Sequence, residues 1–168
     1  ALINDLFGSL SHSLPPQALM AQNNKHSGAN PYFSRMNLRR FICSSECEES
    51  LGEVSTSALK LISGSDSIVA RDLYKSEGLV RLTGKLFIET NNLPNLAGQV
   101  NYAIMRRLKL IPFISTFKLT GRINKGQHIF RAYPQLKKDF ETGKYRKQFF
   151  SMLVEYFNKP RLKVPTKV

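Results

Sequence analysis

Phe41-Ile42-Cys43-Ser44-Ser45-Glu46-Cys47-Glu48-Glu49 is the stretch on which the reading of the fold turns. Three apolar residues, two serines and then a run of carboxylates describe a strand over 38–45 that ends at an acidic edge. An acid at a strand's carboxyl end either simply stops the strand or sits where an NTPase polarises water or holds Mg²⁺. Downstream, Ser55 or Thr56 can cap a short helix through Ala58, Leu59, Leu61 and Ile62, stopped by Gly64. Residues 67–75 and 81–90 are β-prone runs around Ser76-Glu77-Gly78 and predict a hairpin. Within the second run, Leu86-Phe87-Ile88-Glu89-Thr90 predicts a mostly buried strand running into Asn91-Asn92-Leu93-Pro94. A strand-end Asn can orient an attacking water, and it is equally a common turn former. After a loop to Gly98, an apolar stretch leads to Arg106-Arg107, followed by the strand-like Leu108-Lys109-Leu110-Ile111-Pro112-Phe113. Paired arginines either reach a neighbouring subunit's phosphates or lie on a basic face.

The flanks are simpler. Leu2, Ile3, Leu6 and Phe7 recur at helical spacing, so residues 1–7 predict the end of an amphipathic helix, weakened at Gly8. Residues 11–37, rich in Ser, Asn, Pro, Gln and Gly, predict a loop with one short helical turn. Near the other end, residues 145–157 predict a helix whose Tyr145, Phe149, Met152, Leu153, Tyr156 and Phe157 share a core-facing side. Residues 158–168, with two prolines and no periodicity, predict a basic extended tail. Strands mixed with helices give an α/β class.

Charge divides the chain. Of its 168 residues, 25 are Lys or Arg and 12 Asp or Glu, a formal +13. Residues 1–100 carry nine of each sign, so the whole excess lies in residues 101–168, with sixteen basic and three acidic. Such a block faces something anionic, most simply a nucleic-acid backbone, or is a solvated surface. An anionic membrane fits less well, because no lipid-anchor motif accompanies the charge and no apolar run approaches the ~18 residues of a span. The two cysteines, Cys43 and Cys47, exclude a disulfide framework and read as small apolar residues rather than a zinc site. They fit a reducing, intracellular compartment, cytoplasmic or nuclear, as does the lack of a signal-peptide pattern.

Taken in order, these segments resemble one family. Leu59-Lys60-Leu61-Ile62-Ser63-Gly64-Ser65-Asp66-Ser67-Ile68-Val69-Ala70-Arg71-Asp72-Leu73-Tyr74 is similar to its "lysine, glycine, aspartate, Ala-Arg-x-Leu-Tyr" signature. Ser44-Ser45-Glu46 lies upstream of it; Lys85 to Pro94 and then Arg106 to Phe113 lie downstream. Order and spacing resemble the superfamily 3 helicase domain of viral, phage and plasmid primase–helicases, the poxvirus-like group included. The resemblance covers residues 1–157, and Tyr145-Arg146-x-x-Phe149-Phe150-x-x-Leu153 looks like the family's closing helix.

That resemblance implies a partial P-loop NTPase (AAA+-like) core with a β-hairpin insertion and a C-terminal helical segment. It implies that Glu46 is the Walker B acid beside Mg²⁺, with Glu48 as a substitute, and that Asn91 is the sensor beside ATP. Arg106 and Arg107 would include an arginine finger acting across a subunit boundary, which implies a homo-oligomeric, hexameric ring. Residues 66–83 would form a hairpin gripping single-stranded DNA, with Lys75 and Arg81 on phosphates and Arg71 on phosphate or structural. Two adjacent strands should then bring Glu46 and Asn91 to the same terminal phosphate.

The family's glycine-rich loop ending in Gly-Lys-Ser or Gly-Lys-Thr does not occur in these 168 residues. Gly84-Lys85, expected inside a strand, and Gly143-Lys144, before the closing helix, lack the following Ser or Thr. Residues 1–8 instead resemble the helix after that loop, so the expectation is a helicase piece beginning just past it, inactive on ATP by itself. Asn101 stands where the family often has aspartate. The alternative is a non-catalytic, basic nucleic-acid-binding relic; a basic structural protein would explain the charge but not the motif-bearing first hundred residues.

Overall fold

The structure, a computed structural model, describes residues 2–23, 31–45, 52–64, 67–71, 76 and 78–159. The chain divides into two compact units, one of residues 3–108 and the other of residues 1–2 with 109–168. The fold is mixed α/β with parallel sheets, an arrangement consistent with a generic P-loop NTPase-like architecture.

In the first unit, α1 (Leu2–Phe7) leads to the short strand β1 (Ser11–Ser13). Three-residue and four-residue 3-10 turns and a single helical turn, α2 (Pro31–Ser34), separate it from β2 (Phe41–Ser44). Next come β3 (Val54–Ser55), α3 (Thr56–Ser63), β4 (Ser67–Ala70), β5 (Gly78–Arg81), β6 (Lys85–Ile88), β7 (Leu96–Ala97) and α4 (Tyr102–Met105). The strand order β1-β2-β6 is parallel throughout, with Ser13 opposite Cys43 and Ser44 opposite Ile88. Ile42 and Ser44 are fully buried on one face of β2, over the core of Leu14, Leu19, Met36, Ile62, Leu82 and Ile104. On the opposite face Phe41 stacks on Phe87 with centroids 4.5 Å apart, and on Phe7 at 6.5 Å.

Strand β1 is a departure from the loop expected over 11–37. Ser-His-Ser has no strand pattern, yet Arg40 N–H donates to Leu10 O at 2.7 Å and Leu14 N–H to Cys43 O at 2.8 Å. Tertiary pairing with an apolar neighbour overrides the weak local preference. The helix near residue 56 forms as expected: Ser55 Oγ accepts from Ala58 N–H at 3.2 Å, and Gly64 follows the last turn.

The hairpin differs in its partner. β4 pairs antiparallel with β5, Ser67 opposite Arg81, whereas β6 leaves to join the parallel sheet. Buried Leu82 and Gly84 make that break. A Cβ on Gly84 would lie 2.7 Å from Ile42 Cδ1 and 2.8 Å from the Arg39 carbonyl, so only glycine admits this approach. Gly84 thus precedes β6 rather than lying within a strand, and β6 is half-buried, with Phe87 exposed.

In the second unit, β8 (Thr116–Lys118) pairs parallel with β9 (Ile129–Arg131), followed by α5 (Leu136–Glu141) and α6 (Arg146–Asn158). The strand expected over 108–113 is absent; Pro112 offers no N–H, and Ile111 and Phe113 are exposed. The closing helix is present, but its aromatic stripe is not core: Phe149 and Leu153 are half-buried, and Met152, Tyr156 and Phe157 are exposed. Residues 160–168 of the expected tail lie outside the described residues.

Candidate functional site

Parallel strands end on the same side of their sheet, so the segments leaving β2 and β6 emerge together. Two hydrogen bonds join them there. Glu89 N–H donates to Ser44 O at 2.8 Å, and Ser45 Oγ donates to Glu89 Oε2 at 2.8 Å. Cys43 Sγ lies 3.8 Å from Ser45 Oγ. Partial burial, chiefly, pushes the Cys43 thiol pKa up; the neighbouring Glu89 carboxylate acts the same way and the Ser45 hydrogen bond opposes them. A thiol held neutral is a packing group rather than a nucleophile.

Glu46 and Glu48, the acids expected after β2, lie outside the described residues, as does Cys47. Asn91 is exposed, three residues past the end of β6. The turn around it is set by Thr90 Oγ1, which donates to Asn92 O at 2.5 Å. Among the described residues no group of three or more His, Cys, Asp or Glu gathers to hold a metal ion. A nucleotide-borne Mg²⁺ needs only one or two protein carboxylates. Glu89 is the carboxylate that the described part of this edge supplies.

The paired arginines are not equivalent. Asn101 caps α4, its Oδ1 accepting from Ile104 N–H at 3.3 Å, and Ile104 is fully buried. Arg107 Nη1 donates back to Ala103 O at 2.6 Å, satisfying a carbonyl of the same short helix. The Arg106 side chain is exposed and makes no hydrogen bond or ion pair among the described residues. Asn101, noted as a departure from the family's aspartate, serves a cap position where Asn and Asp are interchangeable.

Of the residues expected on DNA, Arg71 is exposed just after β4, and Arg81 is exposed at the end of β5. Lys75 lies outside the described residues. The hairpin is anchored through Arg81, whose N–H donates to Asn37 Oδ1 at 2.9 Å and whose carbonyl accepts from Leu38 N–H at 3.0 Å. Leu38 adopts a left-handed φ of 57° at this contact.

Sequence reading missed Glu89 and Asn37 as working residues. Glu89 could be found only from the register, which continues Ser44–Ile88 to Ser45–Glu89. Asn37, in a polar stretch, carries no local signal of its partner 44 residues away.

The class that emerges is a mixed α/β protein with a parallel sheet and its candidate site at the carboxyl edge. Among known proteins, the chain is 27% identical over 168 residues to the "Putative helicase L207/L206" of Acanthamoeba polyphaga mimivirus. It is 28% identical over 123 residues to the "Putative helicase 022R" of Frog virus 3 (isolate Goorha). These matches cover 95% and 71% of this chain but 17% and 12% of the relatives, so the chain spans under a fifth of their length. No protein-family model matches it. The relationship is a distant, broadly helicase-like one.

Proposed function

We propose that this chain is part of an ATP-dependent DNA helicase of the superfamily 3 primase–helicase type, acting in replication of a viral or mobile element. The observation that carries this reading is the parallel pairing of β2 with β6, which sets the segment leading to Glu46 beside the one leading to Asn91. Hydrolysis of a γ-phosphate is a matter of positioning and of neutralising developing charge. In this reading Glu46 holds Mg²⁺ and polarises the water, Glu48 stands in reserve, and Asn91 aligns that water. Arg106 is the finger offered to the next subunit's nucleotide, because Arg107 is engaged on its own helix. ATP with Mg²⁺ would supply the phosphoryl group and its counter-charge. Arg71, Lys75 and Arg81 would contact single-stranded DNA from the hairpin of a hexameric ring.

The test uses the longer polypeptide that carries this chain. Glu46→Gln, Asn91→Ala and Arg106→Ala should each depress ATP turnover, Arg106→Ala by about 10³-fold or more, and Arg107→Ala by less. Mixing Arg106→Ala subunits with Glu46→Gln subunits should restore part of the activity, since some mixed interfaces then carry both intact groups. Turnover indifferent to all four substitutions would sink this reading and favour the non-catalytic nucleic-acid-binding relic.

A further inference from the structure

From the arrangement of charge in the second unit, we infer a second nucleic-acid contact, the β8–β9 ribbon with its connecting loop, which binds a single strand through its phosphates. Residues 90–138 contain nine Lys or Arg and no Asp or Glu. Four of those cations, Lys118, Arg122, Lys125 and Arg131, fall on the ribbon and the loop between its strands, and all four are exposed. Lys118 and Arg131 lie directly opposite each other in the strand register. Like charges so placed oppose pairing.

Among the described residues no carboxylate pairs with these cations to offset that repulsion. Lys118, Arg122 and Lys125 make no ion pair or side-chain hydrogen bond among the described residues, and Arg131 Nη1 donates only to Leu119 O, at 2.7 Å. Of the three carboxylates in the unit, Glu141 is exposed on α5 and makes no ion pair among the described residues, and Asp139 is bound by Lys144 at 2.9 Å and by the Tyr133 hydroxyl at 2.9 Å. Glu155 pairs with Lys159 at 2.7 Å, on α6. The cations are nevertheless held in ordered backbone. Asn124 and Ile129 exchange N–H···O bonds of 3.1 and 2.9 Å, and Asn124 Oδ1 accepts from Gln127 N–H at 3.3 Å. Thr116 N–H donates to His128 O at 2.9 Å.

An ordered ribbon whose charges are unpaired within the fold is complementary to a polyanion. Phe117, 65% exposed on β8 with its ring 5.8 Å from that of Phe130, and Phe113, 96% exposed three residues before β8, offer ring faces on which unpaired bases stack. The choice of nucleic acid over an anionic membrane rests on the helicase reading above; the ribbon's residues are other than those of the β4–β5 hairpin.

The experiment titrates the 168-residue chain into a labelled oligo-dT strand across a salt series, with phosphatidylserine–phosphatidylcholine vesicles in parallel. A triple substitution, Lys118→Gln, Arg122→Gln and Lys125→Gln, spares Arg131 and its backbone contact. A charge-matched control substitutes Lys137→Gln, Lys138→Gln and Lys147→Gln on α5 and α6. The ribbon variant should bind roughly tenfold or more weakly at low salt, with its log–log salt slope shallower by about 2, while the control keeps the parent slope. Equal losses in the two variants would reduce the effect to net charge and overturn the inference, leaving the helicase reading intact. Binding of vesicles but not DNA, lost in the ribbon variant, would overturn it in favour of a membrane. No DNA binding by the unsubstituted chain would remove both this inference and the DNA-binding part of the reading on which it rests.

Discussion

His12 occupies the middle of β1, opposite Ile42, in a stretch whose sequence predicts no strand. Burial, followed by the nearby Arg39 and Arg35 charges, lowers its pKa below the usual 6.5. The sign follows from linkage: the folded state disfavours the imidazolium, so the unfolded chain binds more protons below about pH 6.5. His12 therefore contributes stability that is fully present above its unfolded pKa and is lost as pH falls through the lowered folded value. Urea midpoints taken from about pH 7.5 down to about pH 5 should fall for the parent protein, and fall less for His12→Gln. A parallel decline in the two proteins would show that His12 does not carry the effect. The same residue shows where legibility ends: neither its strand nor its two arginine neighbours could be inferred before the β1–β2 pairing was known. Glu89 is the same case at the sheet's carboxyl edge, visible in sequence as part of a motif but not as the partner of Ser45.

At the scale of the element, local signals succeed where a cap or an apolar spacing completes them and fail where only an apolar run is offered, as over residues 108–113, where no strand forms. Ser55 caps α3 because its side chain and the following apolar spacing are both local signals. β2 and the start of α6 emerged from local patterns too. What depended on distant partners did not: β1, β3, β7 and the β8–β9 ribbon are two or three residues long and exist only through pairing. α4 is intermediate, an apolar run legible in sequence whose single turn depends on one cap. Such a helix is too short to persist on propensity, so the Asn101 side chain and buried Ile104 together hold it and, with it, Arg106. Asn101→Ala should lower stability by about 1 kcal/mol in denaturant unfolding, whereas Asn101→Asp should stay close to the parent. Equal stability of the Ala variant would show that burial of Ile104 alone fixes the turn.

Over the whole molecule, burial and charge divide the chain in complementary ways. Among the described residues, every buried hydrophobic side chain falls between Leu14 and Ile104, within the unit of residues 3–108. No described residue of 109–159 is buried, and Phe113, Phe117 and Phe157 are exposed there. The same segment carries most of the positive excess. A cooperative transition needs apolar surface removed from water, so the first unit should supply nearly all of the unfolding enthalpy. At roughly 0.7 kcal/mol per residue near 60 °C, that is about 75 kcal/mol rather than the roughly 120 kcal/mol of a uniformly packed chain of this length. Calorimetry of the 168-residue protein should return the smaller value. Amide exchange should show protection concentrated in β2 and α3 and little over residues 109–159. Oligo-dT, if it closes over the β8–β9 ribbon, should slow exchange there by binding the folded form preferentially. An enthalpy scaling with the full length would mean that the second unit folds cooperatively despite its exposed rings. The division between a packed, nearly neutral unit and an open basic one would then no longer explain why the charge can be left unpaired.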